Sequence, residues 1–328
     1  MQTIASFLLP RNIHLPAPEE RLIEVAEGVK VRCWCYWISE APGKEKSAEK
    51  KHRTERLTLI AVHGLEGSSD SQYMLGVARR GLAAGMNVVL MNQRNCGGMD
   101  HFAPTLYNSS LSNDVAAVAR SVVESDGVSR LALIGFSMGG NLVLKLAGEW
   151  GRAAPPQLRA VAAVCPATDL AASADALHEP ANRIYEWYFL WQLFRRLRRK
   201  AKYFPQHFDV SRLHGVSSLR LFDDRITAHY CGFAGDKDYY ARAAAANVVD
   251  RIAVPALIIH AGNDPFIRVT PETREKIRAN PNITYIETED GGHCAFLGER
   301  NSAHRNGDPD YDGRWAEREV VEFVRRAE

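Results

Sequence analysis

The chain contains no uncharged apolar run approaching the ~20 residues needed to cross a bilayer. Its first apolar stretch, Ile4 to Leu9, is short and ends at Pro10-Arg11, so no secretory signal is expected. Charge of one sign is also missing. Lys and Arg total 41 against 39 for Asp and Glu, and a formal net charge of +2 is too small to argue for nucleic acid. The six cysteines (Cys33, Cys35, Cys96, Cys165, Cys231, Cys294) have no partners at zinc-site spacing, and several lie in apolar runs. Reduced thiols and no metal are expected. No internal repeat is present. The glycine turn at Gly135 is not a dinucleotide fingerprint, because Ser137 stands where the second glycine of G-x-G-x-x-G would be. What remains is a soluble, cytoplasmic globular chain of 328 residues, 46% hydrophobic and 24% charged. That length suits one large α/β domain with an insertion, or two domains.

Short apolar runs alternate with helical patterns along most of the chain. Arg21 to Val25 and Val29 to Ile38 read as strands joined at Glu27-Gly28. Leu57 to Val62, Asn87 to Met91, Leu131 to Ile134, Ala160 to Val164, Ala256 to Ile259 and Ile283 to Ile286 read as further strands. Helices are expected from about Ser69 to Ala84, from Asn113 to Gly127, up to Gly151, from Thr270-Pro271, and from Trp315 to Val324. Residues 43–56 are almost all charged or polar and read as a surface loop. Strands alternating with helices call for an α/β fold, a mostly parallel sheet covered on both faces. The alternation breaks between Asp169 and about Asp250, a stretch of helix formers and aromatics. The expected organisation is a core of residues 1–168 and 251–328 with a helical lid, 169–250, inserted late in the sheet.

Gly135-Phe136-Ser137-Met138-Gly139-Gly140 lies between an apolar strand and a strong helix former. In that context G-x-S-x-G is a nucleophile elbow: the flanking glycines relieve a turn too sharp for larger residues. The helix that starts after the serine aims free N–H groups at the same spot. A serine hydroxyl needs a histidine base, and the base needs a carboxylate to fix its tautomer. In this fold both follow the serine, acid before histidine, each just past a strand. Asp264 follows the strand from Ala256, and His293 follows the strand from Ile283 and the turn Glu289-Asp290-Gly291-Gly292. Asp169 is the rival acid, with helix capping as its alternative role. His63 and His260 lie at buried strands and suit structural roles, and His304 lies in a polar stretch. The oxyanion hole is expected from the N–H groups of Met138, next to the nucleophile, and Leu65, in the loop His63-Gly64-Leu65-Glu66-Gly67.

Taken together these stretches resemble an α/β-hydrolase, and within that superfamily the YheT-like branch of serine esterases. The resemblance rests on His63 to Ser69, Asn92-Gln93-Arg94-Asn95-Cys96-Gly97-Gly98, and Gly135 to Asn141. It continues through Phe222-Asp223-Asp224, Asp238-Tyr239-Tyr240, Ile258 to Phe266, and Gly291-Gly292-His293, spanning about residues 57 to 297. Two places depart from it. Arg11-Asn12-Ile13-His14-Leu15 is only a faint echo of the segment expected there, and Asn95 stands where related sequences often have glycine. The resemblance implies a carboxylic-ester hydrolase using Ser137, Asp264 and His293, without a cofactor.

The stretch from Ile184 to Lys202 is aromatic, then basic. Ile184, Trp187, Tyr188 and Trp191 recur at helical spacing with Phe189 and Phe194 nearby, followed by Arg195, Arg196, Arg198, Arg199, Lys200 and Lys202. The expected arrangement is a lid helix whose aromatics pack over the catalytic pocket, with a solvated basic end. The competing reading is an amphipathic surface that docks weakly on anionic lipid. Either way the partner is a small-molecule ester with an apolar acyl group, and no nucleic acid. Rival activities are a serine acyltransferase with the same triad and a ligand-binding protein on a hydrolase scaffold. A haloalkane- or epoxide-type hydrolase would need a carboxylate at the elbow.

Overall fold

The computed structural model describes residues 2–3, 11–38, 54–298 and 312–327. Most of the expected loop 43–56, the stretch Ile4 to Leu9 and His304 lie outside the described residues.

Eight strands form one sheet in the order β1-β2-β4-β3-β5-β6-β7-β8. They are β1 (Glu19–Ala26), β2 (Val29–Tyr36), β3 (Thr58–Val62), β4 (Asn87–Met91), β5 (Leu131–Phe136), β6 (Leu158–Val164), β7 (Ala256–Ala261) and β8 (Ile283–Thr288). β1 pairs antiparallel with β2 and β2 antiparallel with β4; every later pairing is parallel. β3, β4 and β5 are buried at every residue. A strand covered on both faces must be apolar throughout, which is why these read as unbroken runs and not as alternating patterns.

Helices cover both faces. α1 (Gln72–Ala83), α2 (Ser112–Asp126) and α3 (Met138–Trp150) follow β3, β4 and β5 in turn. Val115 and Val122 of α2 and Leu142 and Leu146 of α3 pack on one face. Met74 and Val77 of α1 pack on the other. α2 ends where expected, at Gly127 in the left-handed region (φ 68°), a conformation that costs glycine little.

Between β6 and β7 the chain is helical: α4 (Leu170–His178), α5 (Arg183–Tyr203), the short α6 (Leu219–Phe222) and α7 (His229–Cys231) joined by a π-helical turn (Asp223–Ala228), and α8 (Asp236–Ala243). α9 (Pro271–Ala279) follows β7, capped by the Thr270 hydroxyl, which accepts from Thr273 N. α10 (Trp315–Arg326) joins the α1 face through Val320 and Val324. No helix of the described residues is long and apolar enough to cross a membrane.

α5 departs from expectation. Trp187 is 71% and Trp191 52% exposed, and Ile184 and Tyr188 are exposed with them, so this face looks away from the protein. Leu190, Leu193 and Leu197 turn inward instead. The basic end is not uniformly solvated either: Arg196 and Lys200 are buried. A 3.6-residue period marks a face without saying which side of it meets the core. Here the inward side carries the three leucines with Phe189 and Phe194, of which Phe189 reaches the cavity, interleaved with two cations that have polar partners beneath them.

Candidate active site

Ser137 stands between β5 and α3 with φ 53° and ψ −118°. A side-chain-bearing residue adopts positive φ only where its surroundings enforce it. The glycines on either side show the enforcement. A Cβ on Gly135 would lie 2.2 Å from Gly139 O, and one on Gly139 would lie 2.3 Å from Val62 O. Helix α3 therefore sits so close to β3 and β5 that neither position admits a methyl group. Ser137 N donates to Val164 O at 2.9 Å, which ties the elbow to the end of β6.

The loop after β3 lies against the serine. A Cβ on Gly64 would come within 3.0 Å of Ser137 Cβ. The loop is pinned on each side of Leu65: Gly64 N donates to Tyr73 OH at 3.0 Å and Glu66 N to Tyr107 OH at 2.9 Å. His63 braces its start. The ring accepts at Nε2 from Gln93 N at 3.1 Å, so Nδ1 carries the proton and donates to Gly64 O at 2.8 Å. Complete burial pushes this imidazole down to a pKa of about 4. Leu65 and Met138 both line the cavity that contains Ser137.

His293 and Asp264 come together. His293 Nδ1 lies 2.8 Å from Asp264 Oδ2. Asp264 follows β7; its other oxygen, Oδ1, accepts from Phe266 N at 3.1 Å and Ile267 N at 2.9 Å. Burial opposes charge on both groups. Each nevertheless favours the charged form of the other: the aspartate raises the histidine pKa, and the histidine lowers the aspartate pKa. Asp169, the rival acid, is engaged elsewhere. Its carboxylate accepts from the hydroxyls of Thr270 at 2.9 Å and Thr273 at 2.7 Å, which ties β6 to the start of α9. No hydrogen bond joins Ser137 Oγ to His293 among the described residues.

Several neighbours had no signal in sequence spacing. Thr3 Oγ1 accepts from His293 N at 2.8 Å, and Gln2 Oε1 accepts from Leu297 N at 2.9 Å, so the first residues brace the histidine loop. Cys294 Sγ lies 3.9 Å from His293 Nε2. Asp223, in the π-helical turn, is buried beside the cavity, accepting from Thr227 and Tyr240 hydroxyls, and burial raises its pKa to about 6. Of these, Asp223 and Tyr240 belong to stretches that carry the resemblance.

A cavity of about 110 Å³ opens onto Ser137 and Met138. Its wall is chiefly apolar: Leu106 and Leu65 from the core loops, Phe189, Leu193 and Leu197 from α5, and Phe266 and Ile267 after β7.

The helical segment is fastened to the loops after β3 and β4 by a buried charge network. Arg196 of α5 meets Glu66 with two bonds, at 2.7 Å and 3.0 Å, and also donates to Asn95 O. Tyr107 OH donates to Glu66 Oε1 at 2.6 Å. Lys200 donates to Asn95 Oδ1 at 3.0 Å and to Asp100 O at 2.9 Å. Asn95 has φ 62°. Asparagine tolerates this region better than most residues, so it can replace glycine there and add a side chain that holds Lys200.

The profile of the α/β-hydrolase fold matches residues 58–299. The chain is 32% identical to YheT of Escherichia coli K12, described as a candidate esterase, over 77% of this chain and 74% of that one. It is 28% identical to phospholipase ABHD3 of Mus musculus, over 84% of this chain and 66% of that one. Among solved structures, the Pyrococcus furiosus esterase Pf2001 superposes with a TM-score of 0.58 at 18% identity, covering 97% of this chain and 96% of that one, a likeness of fold. The chain belongs to the α/β-hydrolase family, in its YheT-like branch, and is an esterase- or lipase-like hydrolase.

Proposed function

We propose that the protein cleaves carboxylic esters with apolar acyl groups through an acyl-enzyme on Ser137. The observation that carries this reading is the apolar cavity opening onto a strained serine at the start of α3, with the His293–Asp264 pair against its wall at Phe266, whose ring lies 4.5 Å from that of His293. Ser137 Oγ attacks the ester carbonyl while His293 Nε2 takes its proton. Asp264 holds the Nδ1–H tautomer and stabilises the imidazolium. The N–H groups of Leu65 and Met138 receive the developing oxyanion, and each such donor contributes ~10²–10³ in rate. His293 returns the proton to the departing alcohol, then activates water to release the acid. The acyl chain occupies the space beneath α5. Residues 169–250 act as the lid, and the core is 1–168 with 251–328.

The test pairs a fluorophosphonate probe with a p-nitrophenyl ester series of increasing chain length. Labelling and turnover are expected in the wild type and in neither case with Ser137→Ala. Folded wild-type protein that neither labels nor turns over any ester would overturn the proposal. Adding an alcohol acceptor reports how the acyl-enzyme partitions between water and transfer.

The exposed face of α5 supports a second element of this reading. Ile184, Trp187, Tyr188 and Trp191 are followed on the same helix by Arg195, which stacks on the Trp191 ring at 4.5 Å, and by the partly exposed Arg199. Aromatic rings beside exposed cations suit the headgroup region of an anionic lipid surface. We infer weak docking there, which would bring the mouth of the cavity to its substrate.

A further inference from the structure

Two thiols next to the proposed base take no part in ester cleavage. Cys165 follows β6 and is fully buried; Cys294 follows His293 and is half-buried. Both are held at positive φ, 43° and 58°. They face one another across the end of the sheet: Cys165 Sγ donates to Gly292 O at 3.6 Å and Cys294 Sγ to Val164 O at 3.5 Å. The two sulfurs and a ring nitrogen of His293 all lie within 4.8 Å of one another. The Cys294 Sγ to His293 Nε2 distance is 3.9 Å.

Those separations are within reach of one metal ion. Zinc bonds of ~2.3 Å to sulfur and ~2.0 Å to nitrogen at tetrahedral angles put the ligand atoms ~3.5–3.8 Å apart, a small contraction from what is present. His293 has the outer partner that a metal-binding histidine uses: Asp264 accepts at Nδ1, which leaves the Nε2 lone pair available. A second buried histidine shares one of the two thiols. Cys165 also lies within 4.8 Å of His260 and Asp264, and His260 Nδ1 is buried without a hydrogen-bond partner among the described residues. Sulfur and imidazole donors select soft or borderline cations, and exclude Mg²⁺ and Ca²⁺, which take oxygen ligands.

We propose that Cys165, Cys294 and His293 form a site for a thiophilic divalent cation such as Zn²⁺, and that its occupation silences ester hydrolysis. Two S–H bonds break and two protons leave to solvent. Two metal–sulfur bonds and one metal–nitrogen bond form, and nothing is oxidised or reduced. The two thiolates cancel the charge of the dication in a buried setting. The imidazole lone pair that would take the serine proton is then occupied. The silencing rests on the reading of His293 as the base; the binding does not.

Cobalt(II) serves as the spectroscopic probe, titrated into the full chain after chelator treatment and with its thiols kept reduced. One equivalent is expected to give a thiolate-to-cobalt charge-transfer band that Zn²⁺ bleaches. Fluorophosphonate labelling should slow ~10²-fold or more with Zn²⁺, the usual contribution of a general base, and recover with chelator. Cys294→Ser and Cys165→Ala, each compared with its own metal-free rate, should lose both the band and the zinc sensitivity. Absence of the band in reduced wild type, or its persistence in both variants, overturns the site. A band with labelling indifferent to Zn²⁺ overturns the silencing and counts against His293 as base. Failure of the hydrolase reading would appear separately, as no labelling in metal-free protein.

Discussion

His63 illustrates how one side chain ties stability to the loop after β3. Its folded-state pKa of about 4 lies below the ordinary 6.5, so the unfolded chain binds the extra proton first. The stability this neutral ring supplies is present above pH ~6.5 and is lost as pH falls toward ~4, by about 3 kcal/mol in all. Urea midpoints measured from pH 7 to pH 4 should fall accordingly, and His63→Asn should flatten the slope over that window whatever its effect at pH 7. An unchanged slope in the variant would place the acid sensitivity elsewhere. Gly139 sets a second constraint at this scale. Its missing Cβ would lie 2.3 Å from Val62 O and 2.5 Å from His63 O, both backbone atoms with no rotamer to yield. Gly139→Ala should cost at or above the upper end of the ~1–3 kcal/mol typical of overpacking. Its denaturant midpoint should drop by more than that of Gly232→Ala, where nothing lies within 4 Å but φ is 76°.

At the scale of elements, α5 depends on buried charges as much as on its aliphatic face. Arg196 and Glu66 are both nearly inaccessible, with side-chain exposures of 8% and 5%. Removing one partner strands the other, which typically costs ~3–5 kcal/mol. Arg196→Met should therefore lower stability by that order, and Arg196→Met with Glu66→Gln should cost less than the two single changes summed. Additive losses in the double-mutant cycle would mean the pair is not coupled. This element also marks where pattern reading failed. The strands were legible because a sheet covered on both faces demands continuous apolar runs, and the helix ends because Gly127 and Thr270-Pro271 carry local signals. The orientation of α5 was not legible. Two faces of that helix are rich in large apolar residues, and only the Glu66, Asn95 and Asp100 partners beneath it decide that Arg196 and Lys200 turn inward and Trp187 and Trp191 outward.

For the whole molecule, a net charge of +2 hides a local asymmetry, because the exposed cations of α5 sit beside exposed aromatics. Sedimentation with vesicles containing anionic lipid should capture the protein, neutral vesicles should capture less, and added salt should weaken the interaction as the Debye length shrinks. Trp187→Ala with Trp191→Ala should abolish capture while leaving turnover of a soluble short-chain ester intact. Equal binding to neutral and anionic vesicles would remove the electrostatic half of the idea. The candidate site divides in the same way as the fold. Sequence alone determined the elbow motif, the alternation that builds the sheet, and a set of candidate acids and a histidine that follow Ser137, because each depends on a few neighbouring residues whose sterics or periodicity are local. Only the tertiary structure decided that Asp264 and not Asp169 meets His293, that Thr3 steadies the histidine loop, and that Cys165 and Cys294 meet beside it. Those pairings join residues far apart in the chain, and no local spacing encodes a distance that the folded sheet alone creates.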